Sequence, residues 1–446
     1  MPILLRVPRA RLIYVLSTTA LLTDRYELTM LEAALKSGKA HRQGVFEVFS
    51  RSLAGGRRYG VFAGTGRLLE LIQQFRFSEQ EIAWLVDQRV VNQQTADWLA
   101  NYKFEGDIHG YAEGEIYFPY SPVLIVESSF AEGVILETLI LSVLNYDSAV
   151  ASAASRMVTA AGSRTVSEMG SRRTAETSAV AAARAAYIAG FSATSNLEAG
   201  RSYGIPTMGT ASHAFTLLHD SEKQAFTAQI EAFGLNTTVL VDTYNIETGI
   251  ENAISVAGPN LGGVRIDSGD LPIEVGKARK LLDKLGATET KITVTNDLDE
   301  FAIASLSAAP VDNYGVGTSV VTGSGVPAAG FVYKMVAYQN ESGEWHEVSK
   351  QSAKKTNVGG KKHAVRSHDS NQIATAELIS AKGVQISPSD RELLVPLITA
   401  GVVEAGLTGA AGVLSARKHH EKVKRELPAN AYRLTKGDPA IPTLFV

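Results

Sequence analysis

The rhythm of apolar and polar positions changes twice along the chain. At 23–38, TDRYELTMLEAALKSG, apolar residues recur at helical spacing. Leu28, Leu31 and Leu35 form one buried stripe, with Thr23 or Asp24 as the cap and Gly38 as the stop. Tyr26, Met30 and Ala33 share another face, which leaves Tyr26 free to point away from that stripe. FSEQEIAWLV opens a further helix with a Ser78/Glu81 capping box. GVFEVF and GDIHGYAEGEIYFPYSPVLIVE read as strands separated by Gly and Pro turns.

From about residue 123 the pattern becomes a long Ala-rich helical region, ETLILSVLNYDSAVASAASRMVTAA, followed by alternating strand and helix signals. Short apolar runs end in EMGSRR, PTMGTASH, VLVDTYN, GVRIDSGD, ITVTND and YGVGTS. Helical patterns such as TSAVAAARAAYIAG and IEVGKARKLLDKLG lie between them. With Arg172, His213, Asp242, Asp267, Asn296 and Gly317 as strand-end markers, the steps are 41, 29, 25, 29 and 21 residues. The long first step has room for an extra strand around GFSATSN. Repeats of roughly 30 residues are the size of βα units, and six in succession favour a closed, irregular α/β barrel. After Gly330 the rhythm stops. FVYKMVAYQNESGEW reads as an antiparallel hairpin, and QSAKKTNVGGKKHAVR as a mobile basic loop. The expected division is an N-terminal extension (1–21), the N-terminal part of a flanking α+β domain (22–122), the barrel (123–330) and the C-terminal part of the flanking domain (331–446).

Composition narrows the function classes. A chain of 446 residues exceeds one ordinary core. Its 43 basic and 46 acidic residues leave a net charge of −3, which argues against a dedicated nucleic-acid binder. The absence of cysteine excludes disulfides, thiolate catalysis and Cys-based zinc sites, and fits a reducing, cytoplasmic setting. The opening MPILLRVPRARLIYVLSTTALL has too short an apolar stretch, Leu12–Leu16, for a signal peptide or a membrane span, and STTA lacks a small-x-small cleavage pattern. No membrane partner is expected.

In a parallel barrel the C-terminal strand ends share one rim, so the polar tips would line a single pocket. GVRIDSGDL supplies Arg265, Asp267, Ser268 and Asp270. Neither GxxxxGK[ST] nor GxGxxG occurs. GVGTSVVTGSG instead offers Gly317, Thr318 and Ser319 as a phosphate cradle, against the alternative of a plain glycine turn. VLVDTYNIETG resembles the ribosyl-pyrophosphate signature of type I phosphoribosyltransferases, but Thr243 replaces the second acid and the barrel setting is wrong for that fold; Asp242 remains a candidate. His213 is a nucleophile, a base or a structural histidine, and Asp242 could orient its imidazole. Arg172 and Arg173 could bind a carboxylate or phosphate, or close a helix-end ion pair. Asp297 and Glu300 have capping-box spacing, which assigns Glu300 to a cap and leaves Asn296 and Asp297 for a ligand. Lys354, Lys355, Lys361 and Lys362 read as a solvated loop or a flap over polyphosphate. His419 and His420 read as surface residues.

Taken in order, TDRYELTM, EMGSRRT, GTASHAF, VDTYN, RIDSGDL and GVGTSVVTGSG…VYKMV resemble the nicotinate phosphoribosyltransferase family, from about Leu22 to the C-terminus. The resemblance implies a type II phosphoribosyltransferase: an irregular α/β barrel beside a domain built from both chain ends, working as a homodimer with shared sites. It implies nicotinate, phosphoribosyl pyrophosphate and ATP as substrates and Mg²⁺ as cofactor, in salvage to NAD. His213 would be phosphorylated by ATP with Asp242 in support, and Arg265 would lie against the nicotinate ring with Arg172 on phosphate or pyrophosphate. Asp267 and Asp270 would face the ribose and the Mg²⁺-bound pyrophosphate, Ser268 would join them, and Gly317, Thr318 and Ser319 would hold the 5′-phosphate. Tyr26 would reach in from the partner subunit. TNDLDE stands where the family more often has Ser-Gly, at the expected Asn296 contact. The alternatives are the sister nicotinamide enzyme and a non-catalytic dimeric nucleotide-binding protein on the same barrel.

Overall fold

A computed structural model describes residues 18–350 and 358–446. Most of the expected extension, and Lys354 and Lys355, lie outside the described residues. Thr18–Ala20, counted with the extension, pack into the core: Ala20 is buried, and Thr19 Oγ1 donates to the Leu71 carbonyl at 2.7 Å.

The six strands of the central sheet are β1 (Thr165–Glu168), β2 (Ala193–Thr194), β3 (Thr238–Leu240), β4 (Gly263–Ile266), β5 (Lys291–Thr295) and β6 (Asn313–Val316). All pairings are parallel, in the order β2-β1-β6-β5-β4-β3. This is the cyclic order of a barrel with one seam, between β2 and β3. The closed barrel is therefore corrected to a curled, incompletely closed one. The strand that would fill the seam, PTMGTASH, makes only the bridge Thr194↔Thr207. Pro206 lacks an N–H and Gly209 weakens a ladder, so the segment runs on as a loop. The extra strand foreseen near GFSATSN is β2.

Register carries the side chains into rows. Leu240 pairs with Arg265, Arg265 with Thr293, and Thr293 with Asn313; one step further, Thr295 pairs with Gly315 and Gly315 with Ser167. Alternation along each strand sends Arg265, Asp267 and Thr295 to the same face.

The flanking layer is a seven-stranded antiparallel sheet. Leu124–Ser129 lies between Gln43–Ser50 and Asp107–Tyr111; Gln43–Ser50 pairs on its other side with Phe331–Gln339, and Asp107–Tyr111 with Leu394–Thr399. Both chain ends thus build one sheet, and the hairpin expected after Gly330 forms between Phe331–Gln339 and Trp345–Glu347. The helix Glu137–Ala161 buries alanine and serine over most of its length and packs on the Ala-rich helix Glu176–Ile188. In the helix Arg25–Lys36, Leu28 and Leu31 are buried and Leu35 partly so. Asp24 is its N-cap without a side-chain bond, because the Thr23 hydroxyl turns to Glu27. The Ser78/Glu81 capping box forms as expected.

Three polar readings are corrected here. Glu300 is no cap: Asp299 accepts from the Phe301 and Ala302 amides, while buried Glu300 pairs with Arg156 at 3.0 Å. His420 is buried, with Nδ1 2.9 Å from the Gly114 carbonyl, and burial pushes its imidazole down to about 3; His419 bonds Glu115 at 2.8 Å. Lys361 and Lys362 are not a free flap, since they pair with Glu127 and Glu47 of the flanking sheet. Among the described residues no helix is long and apolar enough to cross a membrane.

Candidate active site

The C-terminal ends of the barrel strands surround a cavity of about 490 Å³. Arg172, His213, Arg265, Asp267, Asn296, Gly317 and Thr318 line it, together with Arg173, Asp297 and the seam loop Met208–Ser212. Residues up to 149 positions apart in sequence, from Met169 to Thr318, are thereby brought to one wall.

Each part has a local cause. Glu168, at the end of β1, is fully buried, and burial raises its carboxyl above the ordinary value. Its oxygens take the Gly170 amide and the Thr194 hydroxyl, which anchors the turn that carries Arg172 and Arg173. A Cβ on Gly170 would stand 2.3 Å from Val321 Cγ1 and 2.8 Å from the Gly317 carbonyl oxygen, so the arginine turn can lie against the Gly317 turn only with glycine there. Gly317 opens a single helical turn, Thr318–Val321.

On the opposite side, Arg265 leaves β4 with most of its donors engaged. Nε donates to Thr295 Oγ1 at 2.8 Å, Nη1 to Thr210 Oγ1 at 2.9 Å and to the Ala211 carbonyl at 3.4 Å, and Nη2 lies 3.2 Å from Asp267 Oδ2. With its edge occupied, the guanidinium has its flat face to offer a ligand. Asp242 follows β3 and is nearly buried; its Oδ2 accepts from the Asp267 amide at 2.8 Å and from the Ser268 hydroxyl at 2.7 Å. Its Oδ1 is buried without a hydrogen-bond partner. That oxygen lies 4.0 Å from His213 Nε2, and Asp267 Oδ2 is at the same distance; the other ring nitrogen, Nδ1, is 3.2 Å from Thr243 Oγ1. An orphaned buried carboxylate oxygen facing a half-exposed imidazole is a polarity left open for a reacting group.

Some expected residues are not on the wall. Ser268 turns to Asp242, as described. Asp270 is the exposed N-cap of the helix Leu271–Lys284, half-buried Ser319 is not among the lining residues, and buried Asp242 reaches the cavity only through Asp267 and His213. Tyr26 is on the flanking layer, 45% exposed, and not part of this cavity. Conversely, Thr210, Thr243, Thr295 and Glu168 were not singled out from sequence. Thr295 had a signal: it ends an alternating KITVT strand on the same face as Thr293.

A metal has no preformed cage. Among the described residues no group of three or more His, Asp or Glu side chains is placed to hold one. The exposed carboxylates fit Mg²⁺ only as it travels with polyphosphate, where one or two protein carboxylates suffice.

Comparison with known proteins decides the family. The N-terminal domain profile of nicotinate phosphoribosyltransferase matches residues 21–145. Nicotinate phosphoribosyltransferase pncB1 of Mycobacterium tuberculosis is 53% identical over 434 residues, covering 95% of this chain and 94% of the relative. The chain belongs to the nicotinate phosphoribosyltransferase family. The Bacillus subtilis nicotinate phosphoribosyltransferase is 35% identical over 380 residues, 83% of this chain and 77% of its own. Among solved structures, human nicotinic acid phosphoribosyltransferase superposes with a TM-score of 0.81 at 23% identity, over 95% of this chain and 97% of that one, which speaks to the fold alone. The curled barrel and two-ended flanking sheet are thus the family's architecture.

Proposed function

We propose that this chain joins nicotinate to phosphoribosyl pyrophosphate, giving nicotinate mononucleotide and pyrophosphate, in salvage to NAD. The observation that carries this reading is one cavity holding both a stacking cation, Arg265, and the carboxylate Asp267, backed by Asp242 on the Asp267 amide, with Arg172, Arg173 and a Gly-Thr turn on the same wall. The anomeric C–O bond to pyrophosphate breaks as the nicotinate ring nitrogen forms the new C–N bond. Positive charge grows on the sugar and negative charge on the leaving group. Asp267 faces the first, Arg172 and Arg173 the second, and Asp270 lies on the same rim for the pyrophosphate and its Mg²⁺. Bound Mg²⁺ would supply charge neutralisation of the pyrophosphate. Gly317 and Thr318, on the cavity wall, receive the 5′-phosphate, with Ser319 next in the same helical turn, and Asn296 meets the ribose or ring.

The reading extends to ATP. His213 Nδ1 lies 3.2 Å from the Thr243 hydroxyl; in the tautomer that carries its proton on Nδ1 and donates it there, the lone pair is left on Nε2. Attack of Nε2 on the γ-phosphorus breaks the P–O bond to ADP, and hydrolysis later returns the imidazole and inorganic phosphate. A phosphohistidine adds roughly two negative charges beside Asp242 and Asp267, enough to bias release of the anionic products. His213→Ala is expected to lose the ATP dependence of the rate while a slow ATP-independent synthesis remains. Purified enzyme assayed with nicotinate or nicotinamide, with and without ATP, tests this; equal loss of both rates removes the phosphohistidine.

The same reading makes the enzyme a homodimer in which Tyr26 completes the partner's site. Tyr26 shares an open helix face with Met30 and Ala33, which line a separate cavity of about 380 Å³. Mixing Tyr26→Ala with Asp267→Ala subunits should restore activity to a fraction of the sites; mixtures as inactive as the parents would refute sharing.

A further inference from the structure

We propose that Thr295 is the positioning residue that fixes both the plane of Arg265 and the orientation of Asp267, and that Gly315 sets its rotamer. The inference rests on the functional reading above for its kinetic consequences, but not for its geometry.

Thr295 ends β5, with Arg265 of β4 and Asp267 just beyond that strand on one side and Gly315 of β6 on the other. Its hydroxyl is shared: it accepts from Arg265 Nε at 2.8 Å and donates to Asp267 Oδ1. A threonine hydroxyl has one hydrogen to give and lone pairs to receive, so both bonds form at once. They run in series from the guanidinium through the hydroxyl to the carboxylate, alongside the direct Nη2–Asp267 Oδ2 contact of 3.2 Å. The result is a three-residue ring of contacts that blocks rotation of Arg265 about its last bonds and selects one rotamer of Asp267.

The other side of Thr295 explains why the hydroxyl points this way. A Cβ built on Gly315 would lie 2.6 Å from Thr295 Cγ2 and 2.7 Å from Met169 Sδ. The missing side chain of Gly315 is the space that the threonine methyl fills. Methyl toward β6 and hydroxyl toward β4 is one rotamer, and Gly315 permits it. Thr295 touches no reacting atom in this scheme. It acts through Arg265 and Asp267 by its hydroxyl, while its methyl occupies the space beside Gly315.

Four proteins test this: wild type, Thr295→Val, Thr295→Ser and Gly315→Ala. Valine keeps the volume and removes the hydroxyl, whereas serine keeps the hydroxyl and removes the methyl. Thr295→Val is expected to raise KM for nicotinate about tenfold or more, the effect of a lost hydrogen bond to a charged group. KM for phosphoribosyl pyrophosphate should change far less, and Thr295→Ser should stay near wild type. Gly315→Ala should resemble the valine variant by turning the threonine. A packing role would give the reverse ranking, with serine impaired and valine tolerated, and would overturn the proposal. Crystal structures of wild type and Thr295→Val supply the readout that needs no activity. Unchanged Arg265 and Asp267 side chains in the valine variant overturn the proposal outright. A reoriented Arg265 in a protein whose wild type fails to use nicotinate would sustain the positioning role and sink the functional reading instead.

Discussion

Two clusters of charge in this molecule have nearly the same composition and opposite design. In the flanking layer, Glu115 is almost wholly buried and its oxygens accept from the Ile116 amide, Arg366, Arg391 and His419 at 2.7–3.4 Å. Arg366 continues to Glu377, and Arg391 to Glu426 at 2.7 Å. Burial alone would raise the Glu115 carboxyl, but Arg366, His419 and Arg391 outweigh it and hold it well below the usual carboxylate range. At the barrel rim, Arg265 lies 3.2 Å from Asp267, and His213 lies 4.0 Å from both Asp267 and Asp242. Yet His213 is 42% exposed, Asp267 is 31% exposed, and Asp242 keeps an unpartnered oxygen. Glu115 and Glu377 have every carboxylate oxygen bonded, and such carboxylates tie chain segments together, even though Arg366 Nε and Arg391 Nε in the same cluster are buried without partners. A carboxylate with one oxygen left open beside a half-exposed imidazole defines where a ligand goes.

The contrast breaks most sharply under truncation. Arg366→Ala strips Glu115 and Glu377 of their shared cation inside the protein, and removing one partner of a buried pair typically destabilises by about 3–5 kcal/mol. The variant's folded fraction should keep its kcat/KM, because the rim is distant and shares no partner with it. Asp267→Asn should do the opposite: loss of one group facing developing charge amounts to about 10²–10³-fold in rate, with the denaturation midpoint close to wild type. Chemical denaturation and steady-state kinetics on both variants decide it. Parallel losses of stability and activity in either one would erase the distinction between the clusters.

The rim could be read from sequence because each polar tip follows its own apolar strand within a few residues, and barrel topology does the gathering. The flanking cluster could not. Glu115 and Arg366 are 251 positions apart, and Glu115 and His419 are 304 apart, so no local pattern links them. In EGEIYF, Glu115 looks like any solvent-facing strand residue. His420, adjacent to half-buried His419, is nonetheless legible by spacing: Val413, Ala416, His420 and Val423 fall on one buried helical stripe. The seam of the barrel escaped for a different reason. PTMGTASH has the length and position of a strand, but Pro206 and Gly209 decide against a ladder, and the loop they leave supplies Thr210 and Ala211 to Arg265.

A third carboxylate sharpens the comparison with a smaller effect. Glu27 is as buried as Glu115, but its donors are the Thr138 amide at 2.8 Å and the hydroxyls of Thr138 and Thr23, with no cation among them. Desolvation therefore wins, and the carboxyl is pushed up from 4.5 to about 8. The folded state then holds a proton that the unfolded chain releases above about 4.5. Stability from this group is greatest at acid pH, falls as pH rises from about 4.5 to about 8, and levels off beyond. Glu115 has the reverse sign, losing its contribution as pH drops below the ordinary carboxylate value. Glu27→Gln removes the titration and keeps an acceptor for the Thr138 amide. Between pH 6.5 and 8 the wild type should lose about 1–2 kcal/mol relative to Glu27→Gln, from the linkage slope of roughly 1.4 kcal/mol per pH unit. Urea midpoints at several pH values measure this directly. Parallel curves would mean that Glu27 stays ionised in the fold, and that cations are not what separates its behaviour from that of Glu115.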